Sequence, residues 1–318
     1  MTWVALRLQR TETLITAAIL ALIAALLIPT GISMADAYSH DGLSACLALN
    51  PSAPCMNAIG DFQSRFQSLF NLTAWFTLIP GIVGVMLAAP FVVELESGTY
   101  RLAWTQSVTR RRWIATKLGV PIVTGLVLSG ALILLFTWWR APFVHLNGRM
   151  DATTFDSEGI VVIGYTLFAF GLALALGVVF RRAVIASTLA FIGYFVSRIF
   201  VDVWLSQRLV TPDHAAWKSN QPQPANLFHA NLISQTGPGL VKGAVPGSAP
   251  FGANVHANVH VSGAVARAGQ HLSNFTTHVV YQPPSHFWPL QLTETGLFAG
   301  IALVLIAFAA WWTHERVA

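Results

Sequence analysis

The chain has 318 residues, 54% of them hydrophobic and only 10% charged, with a mean hydropathy of +0.60. Soluble domains carry about 25% charged residues, so an ordinary soluble fold is excluded. The net charge of +5 does not argue for nucleic acid, because the basic residues are interleaved with apolar runs, as positive loops on one side of a bilayer are.

A bilayer core about 30 Å thick needs roughly 20 apolar residues in a helix. Six segments meet that length, at about 13–32, 72–93, 118–139, 159–180, 183–205 and 290–312. The predicted fold class is an all-α membrane protein with six transmembrane helices, forming a single transmembrane domain over 1–318.

Ahead of the first span, MTWVALRLQR mixes apolar residues with Arg7 and Arg10. It fits a short helix lying in the interface or a tail of stop-transfer charges. These charges, the apolar run and Ala35-Asp36-Ala37 together resemble a secretory signal with its cleavage site. The run is longer than such a signal needs, and cleavage would leave five spans, so the segment is expected to stay. In the loop at 33–71, Cys46 and Cys55 lie close together in ACLALNPSAPC. On an oxidising side this suggests a disulfide, worth roughly 2–3 kcal/mol by loop entropy; the alternative is two free thiols.

Pro80, Pro90 and Pro121 fall in the second and third spans, where neighbouring helices can satisfy the freed carbonyls. In the fourth span, Gly171–Ala175 and Ala173–Gly177 are spaced for close helix contact. Arg198 and Asp202, one turn apart in the fifth, are expected to form an intramembrane charge pair; Glu294 at the head of the sixth is the other charged exception. Such a pair is a functional site or a mutually neutralised lock on helix packing.

The loop at 206–288 is unusually long. Its middle, GPGLVKGAVPGSAPFGA, is expected to be poorly ordered. The stretch 254–261 alternates like a strand, with His256 and His260 on one face. Those imidazoles would stand about 13 Å apart, at ~3.3 Å per residue, so no metal site is expected.

Basic residues set the orientation. With the N-terminus inside, Arg7, Arg10, Arg101, Arg110, Arg111, Arg112, Lys117, Arg181, Arg182 and Arg316 all fall on the cytoplasmic side, and both termini are cytoplasmic. Trp138–Trp139 and Trp288 then mark the outer interface, and Trp311–Trp312 the inner one. No catalytic residues emerge: the sequence has no G-x-x-x-x-G-K-[ST], H-E-x-x-H or G-x-S-x-G.

What remains is a charged island, ELESGTYRLAWTQSVTRRRWIATK, at 94–117 between two apolar runs. Its pattern of Glu94, Glu96, Gly98, Thr99, Leu102, Arg110 and Lys117 resembles permease subunits of ABC transporters of the type-2 exporter class. GTYRLAWTQSVTRRRW, the closing YQPPSHFWPLQLTE at 281–294 and the outer cysteine pair are similar to the small actinobacterial permeases. Arg101 departs from the wider class, where an acidic or polar residue is common.

The resemblance implies a multi-pass permease of a bacterial plasma membrane, working as an exporter. Residues 94–117 would form a cytoplasmic coupling helix docked on a separate ATP-binding cassette ATPase. Trp104 would anchor that helix at the interface, Gly98 would break the chain before it, and Arg111 and Arg112 would join Arg110 in contacting the motor or acidic lipid. ATP and Mg would be held by the ATPase, with no cofactor on this chain. A second permease copy or paralogue and the lipid bilayer complete the expected partners. The cavity would be lined by the second and fifth spans, and the apolar, Phe-rich spans favour an amphiphilic or hydrophobic substrate. The alternatives are a stand-alone carrier or channel, which would want intramembrane acids, and a membrane sensor with a ligand-binding outer loop.

Overall fold

Hydrocarbon-length helices dominate the computed structural model, which describes residues 10–48, 53–101, 109–150, 152–218, 227, 230–237, 240–244 and 276–316. Among the described residues, six helices are long and apolar enough to cross a membrane: Ala17–His40, Ile79–Ser97, Arg110–Asn147, Val161–Phe180, Ala183–Leu205 and Pro284–Arg316. They are the first to sixth spans below.

Their ends differ from the hydropathy boundaries for local reasons. Residues 72–76 close a preceding helix, Ala53–Phe76. A turn at Thr77–Leu78 follows, and the second span begins at Ile79 with Pro80 in its first turn, where a missing N–H is harmless. Its end is set by Gly98, at φ +71°, a left-handed conformation that glycine adopts without penalty. Glu94 and Glu96 therefore sit in the last turns of a helix rather than in a loop. Likewise Arg110 to Lys117 form the first turns of the third span, whose helix runs 38 residues. The N-terminal tail at 1–9 and the centre of the island, 102–108, lie outside the described residues.

The expected outer loop at 33–71 is largely helical. Phe62, Phe66 and Phe70 recur every four residues on the helix Ala53–Phe76 and are all buried, an apolar stripe along one face of the helix. Cys46 is disulfide-bonded to Cys55, with Cα atoms 5.6 Å apart. Trp139, expected at the interface, is instead 1% exposed, and its Nε1 donates to Thr30 Oγ1 at 3.0 Å. Trp138, Trp288 and Trp311 are each about half exposed.

Chain contacts divide the protein into two compact units, 1–142 with 156–198 and 291–318, and 143–155 with 199–290. In the first unit the fourth span is the most buried of the six. Its glycines explain this by letting neighbours approach. Gly164 and Gly171 meet Thr295 and Ala302 of the sixth span, and Gly177 meets Val92 of the second. From the other side, a Cβ built on Gly84 would fall 2.8 Å from both Ala169 Cβ and Phe170 N. Gly84→Val is accordingly expected to cost about 1–3 kcal/mol or more through overpacking against backbone. Gly130→Ala, where a Cβ meets nothing within 4 Å, should be neutral or slightly stabilising. Thermal midpoints of the two variants in detergent test this: equal midpoints would mean the seam is not packed as described.

The second unit carries what the all-α expectation left out, a four-stranded antiparallel sheet. Strands β1 (Asp213–Lys218), β2 (Asn231–Gly237), β3 (Leu240–Ala244) and β4 (Thr276–Gln282) are ordered β1-β4-β2-β3. Leu227, Val279 and Tyr281 form its small core, with Ala215, Trp217, Ala230 and Leu232 against them. The expected strand at 254–261, with His256 and His260, lies outside the described residues.

Candidate functional site

Two charged clusters stand at opposite ends of the helices of the first unit. One is built from the island. Glu94, near the C-terminal end of the second span, forms an ion pair with Lys117 of the third. Lys117 is 5% exposed, and an ammonium is retained at such a depth only with a carboxylate beside it. Glu96 reaches the fifth span, where its Oε2 accepts the backbone N–H of Ala183 at 2.8 Å. Ala183 opens that helix, whose first N–H groups have no intrahelical partner, and a carboxylate there also complements the helix dipole. Both glutamates thus tie helices within the chain.

The turn between them and the undescribed segment is also ordered. Ser97 Oγ lies 3.0 Å from Thr99 Oγ1, and Arg101 N donates to Gly98 O at 3.1 Å. On the far side of the segment, Trp113 is buried and packs on Phe91 with ring centroids 5.6 Å apart. Arg110, Arg111 and Arg112 are exposed; Arg110 Nη1 also reaches His314 O of the sixth span at 3.4 Å. Leu102 and Trp104 lie outside the described residues. The charged island residues that are described therefore come together at one end of the helices: Glu94 and Lys117 as an enclosed pair, Glu96 as an exposed tie to the fifth span, and Arg110, Arg111 and Arg112 on the surface.

The other cluster centres on Arg198 of the fifth span. Its Nη2 lies 2.5 Å from Asp156 Oδ2 and its Nη1 3.1 Å from Glu294 Oε1. Tyr165 of the fourth span lies under the guanidinium, 3.8 Å from its ring centroid, and its hydroxyl donates to Glu294 Oε1. All four residues are at most 9% exposed. Nearby in sequence, Arg140 Nε stands 3.9 Å from Glu158 Oε1. Gln291 of the sixth span holds the start of the fourth, accepting Val161 N and donating to Glu158 O, both at 3.0 Å.

Spacing pairs Arg198 with Asp202. Asp202 falls in a π-helical turn, Val201–Leu205, of the second unit, and within the first unit Arg198 meets Asp156 and Glu294. Glu294 had a visible signal, a carboxylate at the head of an apolar run. Asp156 had none, since DATTFDSEG reads as a polar loop. Neither cluster offers a nucleophile or an acid–base pair facing a substrate cavity. What the arrangement does is bind helix ends to one another.

The family model described as ABC-2 membrane transporter related matches residues 17–206, more than half of the chain and all but the last of the spans. No curated protein and no solved structure matches it. Together with the six apolar helices, the match shows a multi-pass membrane protein that belongs to the ABC-2 membrane transporter related family, a membrane component of ABC transporters and not itself their ATPase.

Proposed function

We propose that the chain is the membrane-spanning subunit of an ATP-driven exporter in a bacterial plasma membrane, with the Glu94–Lys117 end facing the cytoplasm. A separate ATPase, holding ATP and Mg, docks at the exposed arginines Arg110, Arg111 and Arg112. A second permease copy or paralogue completes the complex. ATP binding displaces the island, and alternating access moves an amphiphilic or hydrophobic substrate outward. The observation that carries this reading is the wiring at the island in a chain of this family. The segment flanking the proposed docking site is tied to the third span through Glu94–Lys117 and to the fifth through Glu96–Ala183 N, so a push there reaches three spans at once.

A stand-alone carrier gains one specific point from the structure, because Asp156 and Glu294 are buried carboxylates of the kind such a carrier needs. Capture separates the two. The tagged chain, taken from its native membranes, is expected to bring a Walker-motif ATPase without apolar spans. The Arg110→Ser/Arg111→Ser/Arg112→Ser variant should retain about tenfold less of it, since charges at an interface set association. If no ATPase accompanies the unchanged chain, the exporter reading fails and the carrier takes its place.

A further inference from the structure

We propose that the Arg198 cluster is a latch: it holds the leading ends of the fourth and sixth spans against the trailing end of the fifth, and releasing it opens a path into the helix bundle from that end. What the opening serves rests on the exporter reading; whether the latch opens does not.

Three observations carry the proposal. First, the contacts converge from separate elements. Arg198 is near the end of the fifth span, Asp156 precedes the fourth, Tyr165 lies in its first turns, and Glu294 is in the sixth. The contacts of the guanidinium with Asp156, Tyr165 and Glu294 each cross from one element to another, so each of them sets a distance between helix ends.

Second, the chemistry suits a contact that must come apart. Apolar side chains of the same volume would hold buried helix ends at least as well as a buried ion pair does. Parting an apolar seam exposes hydrocarbon to water, whereas guanidinium, carboxylates and phenol are rehydrated when they separate. The ionic seam is therefore closed but not held at the maximum that the site allows.

Third, a void lies directly behind it. Phe76, Pro80, Phe136, Val162, Ser157 and Asp156 line a space of about one water between the second, third and fourth spans. Asp156 is both a wall of this void and a member of the latch. A break at Arg198 frees the residue that separates the void from the cluster.

Cysteine labelling of the purified full chain in detergent tests the latch. Cys46 and Cys55 are bonded to each other and no described cysteine is free, so Ser157→Cys introduces the sole reactive thiol. With a water-soluble maleimide, which reaches both ends of the chain in detergent, this thiol should react slowly in the otherwise unchanged chain. It should react about tenfold faster when Arg198→Met, Asp156→Asn and Glu294→Gln are combined, which removes the guanidinium together with the Asp156 and Glu294 carboxylates. Tyr165→Phe keeps every charge and should give an intermediate rate, and Arg198→Lys a rate near that of the parent. Ala169→Cys, buried at the seam of the second and fourth spans, reports general loosening and should stay unreactive throughout. Equal Ser157→Cys rates in the parent, the triple variant and Tyr165→Phe overturn the proposal, as does a parallel rise at Ala169→Cys. Capture of the ATPase, scored separately on the unchanged chain, decides the exporter reading whatever the labelling shows.

Discussion

Arg198→Met alone is expected to cost about 3–5 kcal/mol of folded stability, the price of leaving buried charges without their counter-ion. Asp156 and Glu294 both lean on this one guanidinium, at 2.5 and 3.1 Å. Without it, two carboxylates that are 9% and 1% exposed would face each other across the Tyr165 hydroxyl. The argument also fixes the sign of a second measurement. Adding Asp156→Asn and Glu294→Gln to Arg198→Met removes these two charges, so the triple variant should recover most of the loss despite carrying two more substitutions. Such non-additivity is expected of residues in one network. Thermal unfolding of the single and triple variants in detergent reads it directly. A triple variant less stable than the single would show that the carboxylates are not held chiefly by Arg198.

Much of the architecture could be read from composition. Six apolar runs of bilayer length become six helices because a backbone in hydrocarbon has to satisfy its own hydrogen bonds, a constraint so strong that tertiary contacts scarcely bear on it. Boundaries were less legible, for reasons visible in single residues. Hydropathy averages over a window, but the second span starts where Pro80 permits and stops where Gly98 turns left-handed. The helix Ala53–Phe76 announced itself only by Phe62, Phe66 and Phe70 at fourfold spacing, a periodicity that mean hydropathy does not register. The sheet was hidden further still, since β1, DHAAWK, is a short, mostly exposed edge strand with no β-branched residue. At the site, the sequence marked which residues were out of place in a membrane but not which of them meet. Helical spacing pairs Arg198 with Asp202. Two partners that the fold supplies within the first unit, Asp156 and Glu294, are 42 and 96 residues away, and no local pattern encodes that.

Both clusters join helix ends, yet they differ in what surrounds them. At the island the ties are simple: one ion pair and one carboxylate on a helix N-terminus, beside exposed arginines. At the Arg198 end the charges are all enclosed. The proposed exporter reading asks for one end that receives force and another that yields, roles to which it assigns the island and the Arg198 end respectively.

The same distinction predicts that grip and transmission at the island can be separated. The Glu94→Gln/Lys117→Met double variant removes the tie between the second and third spans and leaves Arg110, Arg111 and Arg112 untouched. The ATPase should therefore co-purify as it does with the unchanged chain, while transport in reconstituted vesicles falls about tenfold or more, because a 1.4 kcal/mol loss in the coupled state is already tenfold. Either single variant leaves a mostly buried charge unsatisfied, at about 1–3 kcal/mol, so each should fold less well than the double. That ordering shows that the pair, and not either residue alone, is the functional unit. Loss of the ATPase from the double variant would place Glu94 and Lys117 in the grip itself. Transport at the parent rate would mean that force reaches the spans by another route, leaving the Glu96 contact with the first turn of the fifth span as the one to cut next.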